Sequence, residues 1–156
     1  MRLALILSAV LVFATDQACK ALVREKIPAG GSIPVVPGKF HLTHVRNHGA
    51  ANGLFARRPR TLMFFTWAAV AGEVNIFFDL CKNYRGDKLA WVFFALNIGG
   101  GASNVYDRLT GRPTVDYLQI CPNRRSPAFN IADIFILAGS FGLLILAVKR
   151  LFSRTA

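Results

Sequence analysis

The stretch FNIADIFILAGSFGLLILAV, residues 129–148, carries one acidic residue near the start of an otherwise apolar run. A helix needs about 20 mostly apolar residues to cross the hydrocarbon core of a membrane. A carboxylate inside that core costs about 2.5 to 3.5 kcal/mol on insertion scales, so an acid there is expected to be paired or functional. The stretch therefore predicts a membrane-spanning helix and makes Asp133 a candidate functional residue.

Three further stretches are apolar and near the length of a membrane span: residues 3–23, 61–80 and 89–106. The composition agrees, because 53% of the 156 residues are hydrophobic, more than an ordinary soluble domain contains. Lipid leaves the backbone little alternative to helix. The sequence predicts an all-α membrane protein, a single domain over residues 1–156 with four transmembrane helices and outer loops at about 24–60 and 107–128.

The first span has a competing interpretation. Arg2, the apolar run that follows it and the small residues before Cys19 are also compatible with a cleavable signal peptide. Three later spans favour a retained signal-anchor helix instead.

The charge of the chain suggests two classes of partner. A net charge of +11 would indicate nucleic acid in a soluble protein, but in a membrane protein basic loops meet anionic lipid head groups. We therefore expect membrane lipid and no nucleic acid. Cys19, Cys81 and Cys121 are far apart in the chain, which indicates neither a zinc site nor a disulfide framework.

The charges leave the direction of threading open. Four spans put both termini on one side. If that side is the cytoplasm, the outer segments hold more basic residues, but the short inner loop and tail are denser in them, and short flanks carry most weight. The outer segment SIPVVPGKFHLTHVRNHGAANGLF, residues 32–55, has Pro and Gly punctuation and partial alternation, which predicts short strands at the membrane surface.

Polar residues interrupt the spans at particular places. Asp16 and Lys20 lie one helical turn apart, either as a self-neutralising pair or as a brace for polar groups above them. In the third span, residues 99–103 are small and allow close helix packing. A polar strip on that helix then runs towards its end, formed by Asn97, Gly101, Asn104 and Arg108, with Asp107 beside it.

Two aspartates from separate segments complete the pattern. Asp116 lies between Val115 and Tyr117, in a surface loop or buried against the bundle. Asn130 can cap the last helix, with Asp133 in a capping-box-like position. When two carboxyls share a site, one keeps a proton while the other acts as a base, which suits hydrolysis of an amide.

With these residues assembled, the chain resembles lipoprotein signal peptidase, the bacterial signal peptidase II family of membrane aspartyl peptidases. The resemblance runs almost end to end through five motifs in order: DQACK (16–20), NHGAANGLF (47–55), GGASNVYDR (100–108), VDY (115–117) and FNIAD (129–133). Each motif alone is weak, whereas five in order within four apolar spans are specific.

The resemblance implies an aspartyl endopeptidase of the bacterial inner membrane, with both termini cytoplasmic and an active site near the outer face. The implied substrates are diacylglyceryl prolipoproteins, cut on the N-terminal side of the lipidated cysteine. We expect a monomer that uses no metal or other cofactor. Asp116 and Asp133 are the implied catalytic pair, and the implied supporting residues are Asp16, Lys20, Asn47, Gly49, Asn104, Asp107, Arg108, Asn130 and Ala132.

Some residues depart from the family pattern. Asn52 stands where we expect an aromatic residue, and Glu73 and Asn75 interrupt the second span. Intramembrane carboxylates also mark ion pathways, so a small proton-coupled transporter is the alternative function. Clustering of the polar residues towards one side favours the peptidase.

Overall fold

The structure, a computed structural model, describes residues 2–50, 53–122 and 126–155. Four long helices and four strands follow one another in the order α1 (Arg2–Lys26), β1 (Ser32–Val36), β2 (Phe40–Asn47), α2 (Pro59–Asn83), α3 (Lys88–Leu109), β3 (Thr114–Ile120), β4 (Ala128–Phe129) and α4 (Ile131–Thr155). Each predicted span thus lies largely or wholly within a helix. Asn52, one of the residues that depart from the family pattern, lies outside the described residues.

Three of the helices are long and apolar enough to cross a membrane: Leu3–Lys26, Pro59–Asn83 and Ile131–Ser153. Helix α3 is not among them, so four transmembrane helices are not confirmed. The reason lies in its buried positions, which include Asn97, Ser103, Asn104 and Asp107. These polar side chains lower the hydropathy of α3 but point into the protein.

Helix α3 packs between α1 and α4 through small residues. A Cβ atom on Gly99 would lie 2.6 Å from the carbonyl oxygen of Ala9 in α1, and one on Gly100 would lie 2.6 Å from that of Ala132 in α4. The prediction that residues 99–103 allow close packing is confirmed at these two glycines. At Gly101 an added Cβ would have no neighbour within 4 Å.

The strands form one antiparallel sheet in the order β1-β2-β3-β4. Strands β1 and β2 confirm that short strands form within residues 32–55. Within residues 107–128, where an outer loop is expected, strand β3 pairs with β2 and places Val45 opposite Asp116. Val115 and Tyr117 of β3 pack on Val23 and Ile27 at the end of α1, which fixes the sheet to one end of the bundle.

Candidate active site

The first turn of α4 is built around Asn130 and Asp133. The backbone N–H of Asp133 donates to Oδ1 of Asn130 at 3.0 Å, and that of Asn130 donates to Oδ2 of Asp133 at 3.2 Å. This reciprocal arrangement is a capping box and confirms the predicted cap. It corrects the start of the last helix to Ile131, because Phe129 belongs to β4.

Asp116 is buried in the middle of β3, with 4% of its surface exposed. Its Oδ2 accepts a hydrogen bond of 2.9 Å from Nδ2 of Asn47, and its Oδ1 accepts one of 2.8 Å from Nδ2 of Asn130. Asn130 therefore contacts both aspartates. Of the two locations open to Asp116 from the sequence, the structure shows the buried one.

Asn104 of α3 connects the two aspartates to a charged cluster below them. Its Nδ2 donates to Oδ1 of Asp133 at 2.8 Å. Its Oδ1 accepts from Nζ of Lys20 at 2.9 Å and from Nδ2 of Asn130 at 3.3 Å. One amide thus links helices α1, α3 and α4 at the level of the candidate dyad.

The charged cluster, formed by Asp16, Lys20 and Asp107, is fully buried. Nζ of Lys20 lies 2.7 Å from Oδ2 of Asp16 and 2.8 Å from Oδ2 of Asp107. Ser103 donates to Oδ2 of Asp16 at 2.6 Å, and Arg24 reaches Oδ1 of Asp107 at 3.2 Å. Of the two interpretations of the Asp16–Lys20 pair, the structure supports the brace, because Lys20 also holds Asn104 and Asp107.

Asp16 also connects the first helix to the last. Its Oδ1 accepts from the hydroxyl of Tyr117 at 3.0 Å and from the backbone N–H of Ala132 at 3.2 Å. The backbone N–H of Ile131 donates to the same hydroxyl at 3.2 Å. Burial and the nearby charge of Asp16 raise the pKa of Tyr117, which keeps it a neutral hydrogen-bond donor.

The loop after β2 forms the upper edge of the site. The backbone N–H of Gly49 donates to Oδ1 of Asn47 at 2.9 Å, and Nη2 of Arg108 reaches the carbonyl oxygen of Gly49 at 3.5 Å. A Cβ atom on Gly49 would lie 2.4 Å from the carbonyl oxygen of Leu54, so only glycine fits there. All the predicted site residues are therefore gathered at one end of the bundle.

Sequence reasoning missed several members of this network. Tyr117, Ser103 and Arg24 all bond to its buried acids. Tyr117 and Ser103 lie inside the quoted motifs, and Ser103 precedes Asn104, but nothing in one sequence states which acid each contacts. Gln17 is a further member, because its amide donates to Oγ of Ser103 at 2.9 Å.

The environment of Asp116 favours proton exchange near neutral pH. Burial raises the pKa of Asp116 to about 6; hydrogen bonds from Asn47 and Asn130 oppose this rise, and the charge of Asp133 adds to it. A carboxyl of this kind can hold a proton while a nearby carboxylate acts as base. The arrangement is therefore suited to general acid and base chemistry on a polar bond.

Glu73 and Asn75 of α2 lie away from this network. Nδ2 of Asn75 donates to the carbonyl oxygen of Ala71 in its own helix at 2.8 Å. Oε2 of Glu73 is buried and has no hydrogen-bond partner within the described part of the chain.

Among the residues that the structure describes, no group of three or more His, Cys, Asp or Glu side chains could hold a metal ion.

The sequence of this chain is similar to a known protein family and to individual proteins of known name. A family model described as signal peptidase (SPase) II matches residues 8–149. The lipoprotein signal peptidase of Nitratidesulfovibrio vulgaris (strain DP4) is 36% identical over 135 residues, covering 85% of this chain and 82% of that protein. That of Bacillus subtilis (strain 168) is 34% identical over 138 residues, covering 88% of each.

Solved structures give the same result at the level of the fold. One described as "Bacterial membrane enzyme structure by the in meso method at 2.3 A resolution" aligns with a TM-score of 0.82 and 27% identity, covering 94% of this chain and 88% of that one. A second, described in the same words at 1.9 A resolution, aligns with a TM-score of 0.79 and 26% identity.

Proposed function

Because this chain belongs to the signal peptidase II family, we propose that it is a membrane aspartyl endopeptidase that removes signal peptides from lipid-modified prolipoproteins. The family match over residues 8–149 carries this proposal. Two buried or half-buried aspartates joined through Asn130 support it from the geometry. Nothing in the comparisons supports the transporter alternative.

The proposed catalytic pair is Asp116 and Asp133. The ionised carboxylate removes a proton from water, whose oxygen adds to the scissile carbonyl carbon, while the protonated carboxyl donates a hydrogen bond to the carbonyl oxygen. Collapse of the tetrahedral intermediate breaks the C–N bond, and the carboxyl that took the proton from water gives it to the departing amine. The products are a signal peptide with a new carboxylate and a lipidated cysteine with a free amino group.

We assign Asp133 as the resting base. It lies in the first turn of α4, where the helix dipole favours a negative charge. Asp116, with its raised pKa, more readily keeps the proton. Proton transfer during the reaction lets the two carboxyls exchange these roles.

We further propose that α3 is a fourth span and that both termini face the cytoplasm. This threading places the sheet and the dyad near the outer surface, where the lipidated cysteine of a precursor lies. The substrate is cut on the N-terminal side of that cysteine by a single protomer. Apolar side chains that are exposed on the helices, such as Phe141 and Leu144, are placed to contact lipid.

The first prediction tests the dyad. Asp116→Asn and Asp133→Asn should each remove nearly all cleavage of a diacylglyceryl precursor by the purified protein, because an amide cannot exchange the proton. The loss should appear in kcat rather than in precursor binding.

Asp87→Asn is the matched control, because Asp87 caps α3 through Oδ1 and asparagine keeps an oxygen there. This variant should cleave normally. Wild-type turnover by a folded Asp116→Asn or Asp133→Asn protein would contradict the assignment.

A further inference from the structure

Two adjoining cavities lie at the end of the bundle opposite to the candidate active site. The basic cavity, of about 390 Å³, is formed by the α2–α3 connection and the end of α4, and its lining includes Arg85, Lys149 and Arg150. The apolar cavity, of about 760 Å³, lies between α1, α2 and α3. Arg85 lines both, so the two cavities meet at this side chain. At 1.5 Å per residue, Lys149 lies about 24 Å along α4 from Asp133.

The basic cavity presents cations that have no acidic partner in the chain. Among the described residues, no carboxylate forms an ion pair with Arg85, Lys149 or Arg150. Asp87 also lines the cavity, but its Oδ1 accepts hydrogen bonds from two backbone N–H groups at the start of α3. A cleft lined mainly by one sign of charge attracts ions of the other sign. The basic cavity is therefore suited to an anion.

The guanidinium of Arg150 is held in place by contacts within the chain. It stacks on the Tyr84 ring, 4.3 Å from the ring centroid, and its Nη1 donates to the carbonyl oxygen of Asn83. A guanidinium carries five N–H donors, so donors are left for a further acceptor. Arginine binds phosphate oxygens through two parallel hydrogen bonds, and a fixed guanidinium loses little freedom in doing so. These properties favour a phosphate group as the anion.

The apolar cavity indicates what kind of phosphate compound fits. Beside Arg85, its lining includes Leu5, Ile6, Phe77, Trp91 and Phe94. A soluble phosphate would occupy the basic cavity alone. A phospholipid carries an acyl chain next to its phosphate, so it can occupy both cavities at once. The position of Arg85 between the two cavities therefore favours a phospholipid.

We propose that the two cavities bind one anionic phospholipid, with its phosphate on Arg85, Lys149 and Arg150 and an acyl chain in the apolar cavity. Basic pockets between transmembrane helices on the cytoplasmic side are suited to anionic head groups, and the cytoplasmic leaflet carries the anionic lipids. The site lies away from both aspartates and does not depend on the proposed peptidase function. Its place in the cytoplasmic leaflet follows from the proposed threading.

The test uses Trp91 as a reporter, because it lines the apolar cavity and its Nε1 donates to the Tyr84 carbonyl oxygen at 3.2 Å. In the full-length protein, Trp67→Phe leaves Trp91 as the single tryptophan. The protein is placed in phosphatidylcholine vesicles that contain increasing fractions of a lipid brominated on its acyl chains, since bromine quenches tryptophan fluorescence on contact. Brominated phosphatidylglycerol should give half-maximal quenching at a mole fraction about fivefold or more below that of brominated phosphatidylcholine.

Substitutions at the basic cavity separate a defined site from general attraction to basic residues. Arg85→Gln and Lys149→Gln should each raise the half-maximal fraction of phosphatidylglycerol about fivefold, as expected for the loss of one basic contact with an anionic lipid. Lys88→Gln is the matched control, because it removes the same charge at the same end of the bundle and Lys88 lines neither cavity. It should leave the quenching curve unchanged, and every variant should keep the wild-type Tm.

Three results would overturn the inference. The first is equal quenching by the two brominated lipids. The second is an effect of Lys88→Gln as large as that of Arg85→Gln, which would indicate a diffuse field instead of a site. The third is release of phosphatidylglycerol by inorganic phosphate at constant ionic strength, which would indicate a site for soluble phosphate. Both lipids are present in both leaflets of the vesicles, so the result does not depend on the threading.

Discussion

At the scale of single residues, the side chains that donate hydrogen bonds to the candidate dyad are neutral amides, and Lys20 is linked to Asp133 through Asn104. Asn47, Asn104 and Asn130 each donate a side-chain hydrogen bond to one of the two aspartates. Amide donors favour the ionised form of a carboxyl less strongly than a bonded cation does. Burial therefore prevails at Asp116, whose pKa rises to about 6.

The second prediction concerns the pH dependence of cleavage. If Asp116 supplies the proton, activity falls as pH rises through the pKa of Asp116. Asn47→Ala removes a hydrogen bond that stabilises the ionised form, so the pKa of Asp116 rises and the alkaline limb of kcat/KM moves to higher pH. Gln119 lies on the same strand as Asp116, but its amide donates to the carbonyl oxygen of Ser126. Gln119→Ala should therefore leave the alkaline limb of kcat/KM in place. An unchanged limb in Asn47→Ala would contradict the proton assignment.

A third prediction concerns the buried lysine. Lys20→Met leaves the carboxylates of Asp16 and Asp107 buried without their shared cation, and such a loss costs about 3–5 kcal/mol. Thermal unfolding in detergent should show a large fall in Tm. Lys26→Met breaks only an exposed pair with Glu25 and should leave Tm unchanged. Equal Tm values for the two variants would contradict the bracing role of Lys20.

At the scale of the elements, α3 is the helix on which the site depends. It packs on both α1 and α4 through glycines and turns Asn104 and Asp107 into the protein. The closeness of these helices sets the position of Asp133, because Ala132 is the residue that touches Gly100. Small residues thus contribute to the chemistry by setting helix spacing.

The fourth prediction tests this spacing. A Cβ on Gly100 would lie 2.6 Å from the Ala132 carbonyl oxygen and 3.0 Å from Cγ1 of Ile136, so Gly100→Ala must shift α4 and, with it, Asp133. Overpacking of this kind costs about 1–3 kcal/mol. We expect a lower Tm and a fall in kcat of about tenfold or more, as a small misplacement of catalytic groups produces. Gly101→Ala, with open space around it, should behave as wild type; a normal kcat in Gly100→Ala would refute the spacing argument.

The elements also show how far the sequence alone could lead. Hydropathy identified all four helices, because their apolar runs are local features of the chain. Strand β3 was not predicted, because it is short and holds an acid within an apolar stretch. Its pairing with β2 also joins residues far apart in the sequence, such as Asp116 and Val45. The site residues could be named from motifs, but the sharing of Asn130 by two aspartates depends on tertiary contacts that no motif records.

At the scale of the whole molecule, polar and apolar parts are separated along the helices. The sheet, the charged cluster and both aspartates lie where α1 ends and α4 begins. Helices α1, α2 and α4 expose large apolar side chains over much of their length, including Leu11, Phe64 and Leu137. This distribution fits a protein held in the bilayer with its site near one surface.

The fifth prediction concerns which surface that is. With Cys19, Cys81 and Cys121 replaced by serine, a single cysteine at Lys39 should react with an impermeant thiol reagent added to the outer face, and one at Tyr84 should not. The serine background should keep substantial cleavage activity, because the proposed mechanism uses no thiol. Labelling at position 84 and not at 39 would reverse the proposed threading.

The contact between Asp16 and the backbone of Ala132 joins residues 116 positions apart. During biosynthesis α1 emerges from the ribosome before α4, because the chain is made from its N-terminus. Until α4 inserts, Asp16 lacks its partner on that helix and Asp133 is absent from the membrane. A partly made chain therefore lacks this contact and half of the proposed catalytic pair, so the site needs the whole length of chain from Asp16 to Asp133.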